Sequence, residues 1–133
     1  MEEIVVRVEA EINSTEDAKK VQKAVSNIFD VTSVEVKPSY QGSVLNAVAH
    51  GREGLIKLRS LLCSDRIRDA ARKVFFGGLR ESAVRFCLNK QVAFAGHVSF
   101  CQETAESPLG PVRVVIECDD PRQLIDWLAL RTT

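Results

Sequence analysis

Residues 4–12 read Ile-Val-Val-Arg-Val-Glu-Ala-Glu-Ile, and this alternation is the pattern that decides the fold class. Apolar side chains occupy every even position, whereas Arg7, Glu9 and Glu11 follow at odd positions. A period of two is typical of a β-strand with one buried face and one solvated face. The segment therefore predicts a half-buried strand near the start of the chain.

The rest of the chain divides into helices and strands by the same criteria. Strands are predicted at 33–37, 43–50, 83–88, 91–96 and 112–118, and helices after Ser14, at about 53–63, at about 65–76 and after Pro121. The order is therefore β-α-β-β-α-α-β-β-β-α. Short turns between neighbouring strands favour a mainly antiparallel sheet with helices packed on one face. We predict an α+β fold in a single domain over residues 1–133.

The two central helices are predicted to be separate because their apolar stripes differ in phase. The leucine stripe of residues 55–62 does not continue into the stripe that starts at Ile67 and includes Ala70. Ser64 lies at the change of phase and is a favourable N-cap, so we expect the second helix to begin there.

Residues 83–96 are predicted to form a β-hairpin. Asn89 and Lys90 separate two alternating runs, and asparagine favours a tight two-residue turn. Val92 and Phe94 are then expected to point inward, and Lys90 is expected at the exposed tip of the hairpin. Two further turns are predicted at 41–42 and 107–111.

The composition is that of a soluble globular domain, with 45% hydrophobic and 27% charged residues in a chain of 133. No apolar run reaches the roughly 20 residues of a membrane-spanning helix, and the acidic start does not resemble a secretory signal. The four cysteines are widely spaced without a Cys-x-x-Cys pair, so reduced, structural thiols are expected. These features favour a cytoplasmic protein that does not associate with membranes.

Sequence signatures of catalysis and of metal binding are absent. His50 and His97 are isolated from each other, and the sequence has no glycine-rich phosphate loop and no nucleophile elbow. Asp119 and Asp120 precede Pro121, so capping of the last helix explains this acidic pair better than paired catalytic carboxylates do. We therefore assign no catalytic residue, metal ligand or cofactor from the sequence.

Charge is unevenly distributed along the chain. Lysine plus arginine and aspartate plus glutamate each number 18, so the formal net charge is zero. Between Arg52 and Lys90, however, ten cations stand against four acids, which gives this segment a charge of +6. Such a segment attracts polyanions, and arginine in particular forms paired hydrogen bonds with phosphate. The alternative is an ordinary solvated helix face, since a basic segment alone does not define a function.

The cations expected to contact a polyanion lie on the second central helix and on the hairpin. They are Arg66, Arg68, Arg72, Lys73, Arg85 and Lys90. The phase change places Arg59 and the other cations of the first helix on a different face. Tyr40 is the one aromatic residue expected to be exposed, so the pattern favours recognition of phosphate and RNA shape over base stacking.

Four stretches of the chain carry a resemblance to a known family. They are Arg-Ile-Arg-Asp-Ala-Ala-Arg at 66–72, Phe-Cys-Leu-Asn-Lys-Gln-Val-Ala-Phe-Ala-Gly at 86–96, Ser-Pro-Leu-Gly-Pro-Val at 107–112 and Ile-Asp-Trp-Leu-Ala at 125–129. The chain resembles archaeal proteins described as predicted exosome-associated RNA-binding proteins, and it departs from their pattern at Leu130, where a proline is expected. The resemblance implies an α+β fold similar to a large-subunit ribosomal protein that binds ribosomal RNA. It also implies an archaeal, cytoplasmic source and no catalytic residues.

Three functions are left as hypotheses. The first is RNA binding without catalysis, in association with RNA processing or the exosome. The second is a homodimeric assembly module without nucleic acid, suggested by the apolar segment 44–49 and by Phe75 and Phe76. The third is an enzyme, which would need a pocket where titratable side chains converge.

Overall fold

The computed structural model describes residues 3–40, 42–101 and 111–130. Its strands are β1 (Val5–Asn13), β2 (Ser33–Ser39), β3 (Gly42–His50), β4 (Leu79–Arg80), β5 (Ala83–Leu88), β6 (Phe100–Cys101) and β7 (Val112–Glu117). Its helices are α1 (Ala18–Ile28), α2 (Ile56–Ser64), α3 (Arg68–Gly77), α4 (Lys90–Phe94) and α5 (Pro121–Leu128), with a 3₁₀ turn at Arg52–Leu55 before α2. The predicted α+β fold is confirmed. The turns predicted at 41–42 and 107–111 each include residues outside the described ranges.

The alternating segment forms β1, which lies inside one antiparallel sheet. The strand order is β2-β3-β1-β7-β5-β4, and β6 pairs with β5. Val5 on β1 lies opposite His50 on β3 and opposite Glu117 on β7. The even-numbered residues of β1 from Val6 to Ile12 are at most 5% exposed, whereas its charged odd-numbered residues are exposed. The prediction of a half-buried strand is therefore confirmed.

The helices pack against the buried face of this sheet. The long strands β1, β5 and β7 bury alternate residues, and these belong to one hydrophobic cluster together with residues of α1, α2, α3 and α5. Phe75 of α3 illustrates the contact, since its ring centroid lies 4.9 Å from that of Phe86 on β5. The opposite face of the sheet carries the charged side chains of the strands, so the two faces differ in polarity.

The central helical segment is divided in two, as predicted, but not at the predicted residue. Ser64 is the last residue of α2 and not the N-cap of α3, which begins at Arg68. The N–H of Ile67 donates to the carbonyl oxygen of Leu62 at 3.1 Å, and the N–H of Arg66 donates to that of Cys63 at 3.2 Å. This pair of hydrogen bonds is the Schellman motif, which ends a helix by satisfying its last carbonyl groups. Within α3, Ala70 is exposed although the stripe predicted it to be buried.

The predicted hairpin over 83–96 is wrong in its second half. Its first strand exists as β5, but residues 90–94 form the short helix α4. Asn89 is the N-cap of α4, because its side-chain oxygen accepts a hydrogen bond from the N–H of Val92 at 3.0 Å. Gly96, at φ 87°, ends α4 by a second Schellman motif. Phe94 consequently lies on the surface with 39% of its area exposed.

The apolar segment that suggested a homodimer is largely buried within the chain itself. Residues 44–49 belong to β3, which lies between β1 and β2, and Leu45, Ala47 and Ala49 are at most 1% exposed. Phe75 is fully buried, whereas Phe76 is 36% exposed and its ring centre lies 5.3 Å from the guanidinium group of Arg72. Leu45, Ala47, Ala49 and Phe75 therefore do not require a second copy to cover them, whereas Phe76 is partly open to solvent. The homodimer stays a prediction that light scattering would test.

Candidate nucleic-acid interface

The turn between α2 and α3 presents Arg66 to solvent in an unusual backbone conformation. Arg66 has φ 58°, the left-handed region in which glycine is favoured, and no other non-glycine residue in the described part of the chain has a positive φ. Gly96 occupies the equivalent position after α4. The same motif thus ends two helices of this chain, once with glycine and once with an exposed arginine.

A groove of about 330 Å³ lies beside this turn, between α2, α3 and α5, and we call it the helix groove. Its lining residues are Arg59, Ser60, Cys63, Ser64, Arg68, Trp127, Leu128 and Leu130. Two guanidinium groups, two hydroxyl groups and an indole ring therefore border one space. Arginine and serine are common donors to phosphate oxygens, and an aromatic ring provides a surface for a base.

Arg59 is a residue of this groove that the sequence analysis assigned elsewhere. Its Nε donates to the carbonyl oxygen of Trp127 at 2.9 Å, and its guanidinium group lies 5.3 Å from the centre of the indole ring. Arg52 lies 5.4 Å from the same ring. The expectation that Arg59 and Arg68 lie apart is wrong, because the turn at Arg66 brings the start of α3 beside the end of α2. A phase analysis of each helix alone cannot show this juxtaposition.

The remaining two candidates on α3 differ from each other. Arg72 was expected on the outer surface, but only 16% of its side chain is exposed. Its Nη1 donates to Asp126 Oδ1 at 2.7 Å and to the carbonyl oxygen of Ala129 at 3.1 Å, so it joins α3 to α5. Lys73 is exposed, as predicted. Arg72 therefore stabilises the packing of α3 against α5, whereas the exposed side chain of Lys73 can contact a ligand.

Lys90 is not at an exposed tip, because the hairpin that would have carried it does not form. The residue is 5% exposed at the start of α4. Its Nζ donates to the carbonyl oxygen of Glu11 at 2.6 Å and lies 3.1 Å from Glu16 Oε1. Lys90 therefore joins α4 to β1 and to the segment before α1, and the structure contradicts its predicted accessibility.

Arg85 lies on the face of the sheet opposite the helices, since its neighbours Val84 and Phe86 are the buried residues of β5. There it borders a second cleft of about 680 Å³, which we call the sheet-edge cleft. The cleft is lined by Val74, Gly77, Gly78, Arg80, Arg85, Phe86, Cys87, Cys101, Arg113, Val114 and Val115. The six predicted cations are therefore not on one surface: they divide among the helix groove, the surface of α3, the interior and the sheet-edge cleft.

Other groups that bear on function are few in the described ranges. No cluster of three or more His, Cys, Asp or Glu side chains suited to a metal ion occurs there. His97 Nδ1 lies 3.3 Å from Asp65 Oδ1 at the surface. Asp120 caps α5 by accepting from the N–H of Gln123 at 3.1 Å, with Pro121 as the first helical residue, as predicted. Tyr40 is 98% exposed, also as predicted. None of the helices in these ranges has both the length and the apolar character to cross a membrane.

Comparison with known proteins identifies the class first. Residues 5–118 match a family model described as RNA binding, so the chain belongs to this family of RNA-binding proteins. It is 46% identical to a UPF0201 protein of Pyrobaculum aerophilum over 130 residues, covering 96% of this chain and 91% of the relative. It is 41% identical to a UPF0201 protein of Sulfurisphaera tokodaii over 125 residues, covering 94% and 86% respectively. The crystal structure of a UPF0201 protein from Methanococcus jannaschii has a TM-score of 0.83 and 31% identity, covering 98% of this chain and 95% of that chain.

The chain is therefore a member of the UPF0201 family. The resemblance predicted from the four sequence stretches is confirmed at the level of the family.

Proposed function

We propose that this protein binds structured RNA without catalysing a reaction, through the helix groove and the neighbouring cations Arg66 and Lys73. The observation that carries the proposal is the meeting of Arg59 and Arg68 in one groove with two serine hydroxyl groups. Guanidinium groups bind phosphate by paired hydrogen bonds, and hydroxyl groups add further donors. The indole ring of Trp127 provides an apolar wall against which a base or ribose can pack.

The backbone at Arg66 supports a role for its side chain. A non-glycine residue in the left-handed region is disfavoured by roughly 1–2 kcal/mol, and glycine would satisfy the same Schellman motif without that cost. The presence of an exposed arginine in this conformation favours a use for its charge. The residue projects from the turn that borders the helix groove, where an RNA phosphate would lie within reach.

The binding test uses variants chosen so that the fold is kept. Arg72 is left unchanged because its ion pair joins two helices. The double variant Arg66→Gly/Lys73→Gln removes two solvent-facing cations, and the control Lys19→Gln/Lys20→Gln removes two exposed cations from α1. Binding of a stem-loop RNA is measured by fluorescence anisotropy over a range of salt concentrations. We expect the first variant to make the negative slope of log affinity against log salt shallower by about 1.4 to 1.8, because each lost phosphate contact contributes about 0.7 to 0.9.

A cysteine of the protein gives an independent readout of the same site. Cys63 is exposed and lines the helix groove, whereas Cys118 is buried in the core. Bound RNA should slow alkylation of Cys63 by iodoacetamide, as followed by mass spectrometry, while Cys118 stays unmodified throughout. Equal salt slopes for wild type and Arg66→Gly/Lys73→Gln, with an unchanged Cys63 rate, would count against the proposal.

Association with an RNA-processing complex, such as the exosome, is a further part of this proposal. Its support is the family resemblance alone. Affinity purification from the native cytoplasm, with and without ribonuclease treatment, would test it. Protein partners that are retained after ribonuclease treatment are expected if the association is direct, and their complete loss would leave shared RNA as the only link.

A further inference from the structure

The outer edge of β5 is interrupted, and the sheet-edge cleft lies at the interruption. β4 pairs with β5 only at Ala83 and Val84, and β6 pairs with it only at Cys87 and Leu88. Arg85 and Phe86 lie between these two paired segments of β5, and neither residue pairs with β4 or β6. A continuous edge strand would fill this position, so the cleft results from the brevity of β4 and β6.

Gly77 and Gly78, at the end of α3, form one side of the cleft. The backbone of Gly78 approaches β5 so closely that a Cβ atom there would overlap the carbonyl oxygen of Arg85. Gly78 accepts a hydrogen bond from the N–H of Arg85 at 3.0 Å, which fixes the end of α3 against the strand. Around Gly77 nothing lies within 4 Å of the Cβ position. The end of α3 therefore contributes only backbone atoms to this side of the cleft, and the space next to Gly77 is unfilled.

Three arginines surround this volume, and none of the described residues that line it is acidic. Arg85 is exposed, and Arg80 is held by donation from its Nη1 to the carbonyl oxygen of Leu79 at 2.9 Å. Arg113 lies 3.5 Å from Glu9 and 3.8 Å from Glu11, at the side of the cleft nearest β1. These two carboxylates partly offset Arg113, so Arg80 and Arg85 form the strongest anion-binding part of the cleft.

We propose that the sheet-edge cleft is a second RNA-binding site, in which Arg80, Arg85 and Arg113 bind a phosphate of the RNA backbone. The inference rests on the proposed function and extends it to a surface outside the helix groove. Three arginine side chains border this one cleft and guanidinium groups bind phosphate, while Val74 and Val115 provide apolar surface for the adjoining nucleoside. A volume of about 680 Å³ is ample for one nucleotide within the usual size range of ligand sites.

The native cysteines make the two sites separately observable. Cys87 and Cys101 lie opposite each other on β5 and β6 and line the sheet-edge cleft, whereas Cys63 lines the helix groove. Alkylation by iodoacetamide is followed by mass spectrometry with no ligand, with a stem-loop RNA and with a nucleoside monophosphate. We expect RNA to slow alkylation of Cys87 and Cys101 at least threefold, and the mononucleotide to have a much smaller effect at the same phosphate concentration.

The variant Arg80→Gln/Arg85→Gln tests the cations themselves, with Lys19→Gln/Lys20→Gln as the control of equal charge change. RNA affinity at low salt should fall about tenfold and the negative slope of log affinity against log salt should become shallower by about 1.4 to 1.8, while Cys63 remains protected at saturating RNA. Protection of Cys63 with unchanged rates at Cys87 and Cys101 would overturn the second site and leave the helix groove standing. Protection by the mononucleotide but not by RNA would also overturn it, and absence of any RNA binding would overturn both proposals.

Discussion

At the scale of single residues, the cations of the basic segment divide into those that hold the fold together and those that face solvent. Arg72 and Lys90 belong to the first group, and Arg66, Lys73 and Arg85 belong to the second. A count of charges along the sequence cannot separate them. Lys90 is paired with the carboxylate of Glu16, which is 74 positions away in the sequence, so only the tertiary structure brings the two residues together.

Replacement of Lys90 tests its structural role. Lys90→Met should lower the free energy of unfolding by about 3 kcal/mol, because it leaves the carboxylate of Glu16 without its cation at a site that is only 12% exposed. Urea denaturation followed by circular dichroism measures the change. The double variant Lys90→Met/Glu16→Gln should recover part of the loss, since it removes the unpaired charge. A loss below about 1 kcal/mol for the single variant would contradict a structural role for the pair.

Replacement of Arg66 by glycine should not destabilise the fold as replacement of Lys90 does. Arg66→Gly relieves the left-handed backbone conformation, so we expect the free energy of unfolding to rise or to stay within about 1 kcal/mol of the wild-type value. The same variant should weaken RNA binding. Gly96→Ala is the reverse control. It places a side chain at the equivalent left-handed position after α4, so it should lower the free energy of unfolding. A marked loss of stability in Arg66→Gly would show that the arginine side chain holds the turn.

At the scale of secondary-structure elements, long periodic segments could be predicted and a short one could not. The alternation of β1 and the Asp-Pro start of α5 gave the correct elements because several residues agree on one pattern. α4 has only five residues, so no helical period can be recognised in it. Asn89 favours both turns and helix N-caps, and the choice between them depends on the packing of α4 against α1.

The junction between α3 and β4 offers a matched pair of glycine substitutions. Gly78→Ala should destabilise the protein by about 1–3 kcal/mol or more, because the new methyl group overlaps the carbonyl oxygen of Arg85 and must push β5 away. Gly77→Ala, one residue earlier, should be neutral or stabilising by up to about 1 kcal/mol, since its methyl group meets open space at the end of a helix. Thermal unfolding of both variants gives the comparison. Equal effects of the two substitutions would show that the close approach at Gly78 does not limit the fold.

At the scale of the whole molecule, the candidate sites are products of the fold. Arg59 and Arg68 come from consecutive helices, but Trp127 reaches the helix groove from α5, about 60 residues further along the chain. In the sheet-edge cleft, Arg113 joins Arg80 and Arg85 because β7 pairs with β5. The sequence identified the basic segment and Arg85, whereas Arg59, Arg113 and Trp127 required knowledge of which elements are neighbours.

The single hydrophobic cluster predicts cooperative unfolding of the chain. All seven described strands belong to one sheet, and helices from both ends of the chain bury residues in the same cluster. Trp127 on α5 is the only tryptophan, so its fluorescence reports on the C-terminal helix, whereas far-ultraviolet circular dichroism reports on all elements. The two urea transitions should coincide. Separate midpoints would show that the chain contains more than one folding unit.

The position of β1 within the sheet has a consequence for folding during synthesis on the ribosome. β1 is synthesised before the other described strands, and one of its edges can pair with β3 as soon as the chain up to His50 has been made. Its other edge stays unpaired until β7, from Val112 to Glu117, has been made, and β7 is the last of the described strands to be synthesised. Until then the nascent chain carries an unpaired strand edge, which is a typical starting point for association between unfinished chains. The sheet cannot be completed before β7 has been synthesised, so the speed of translation through the segment between β3 and β7 sets how long that edge of β1 stays unpaired.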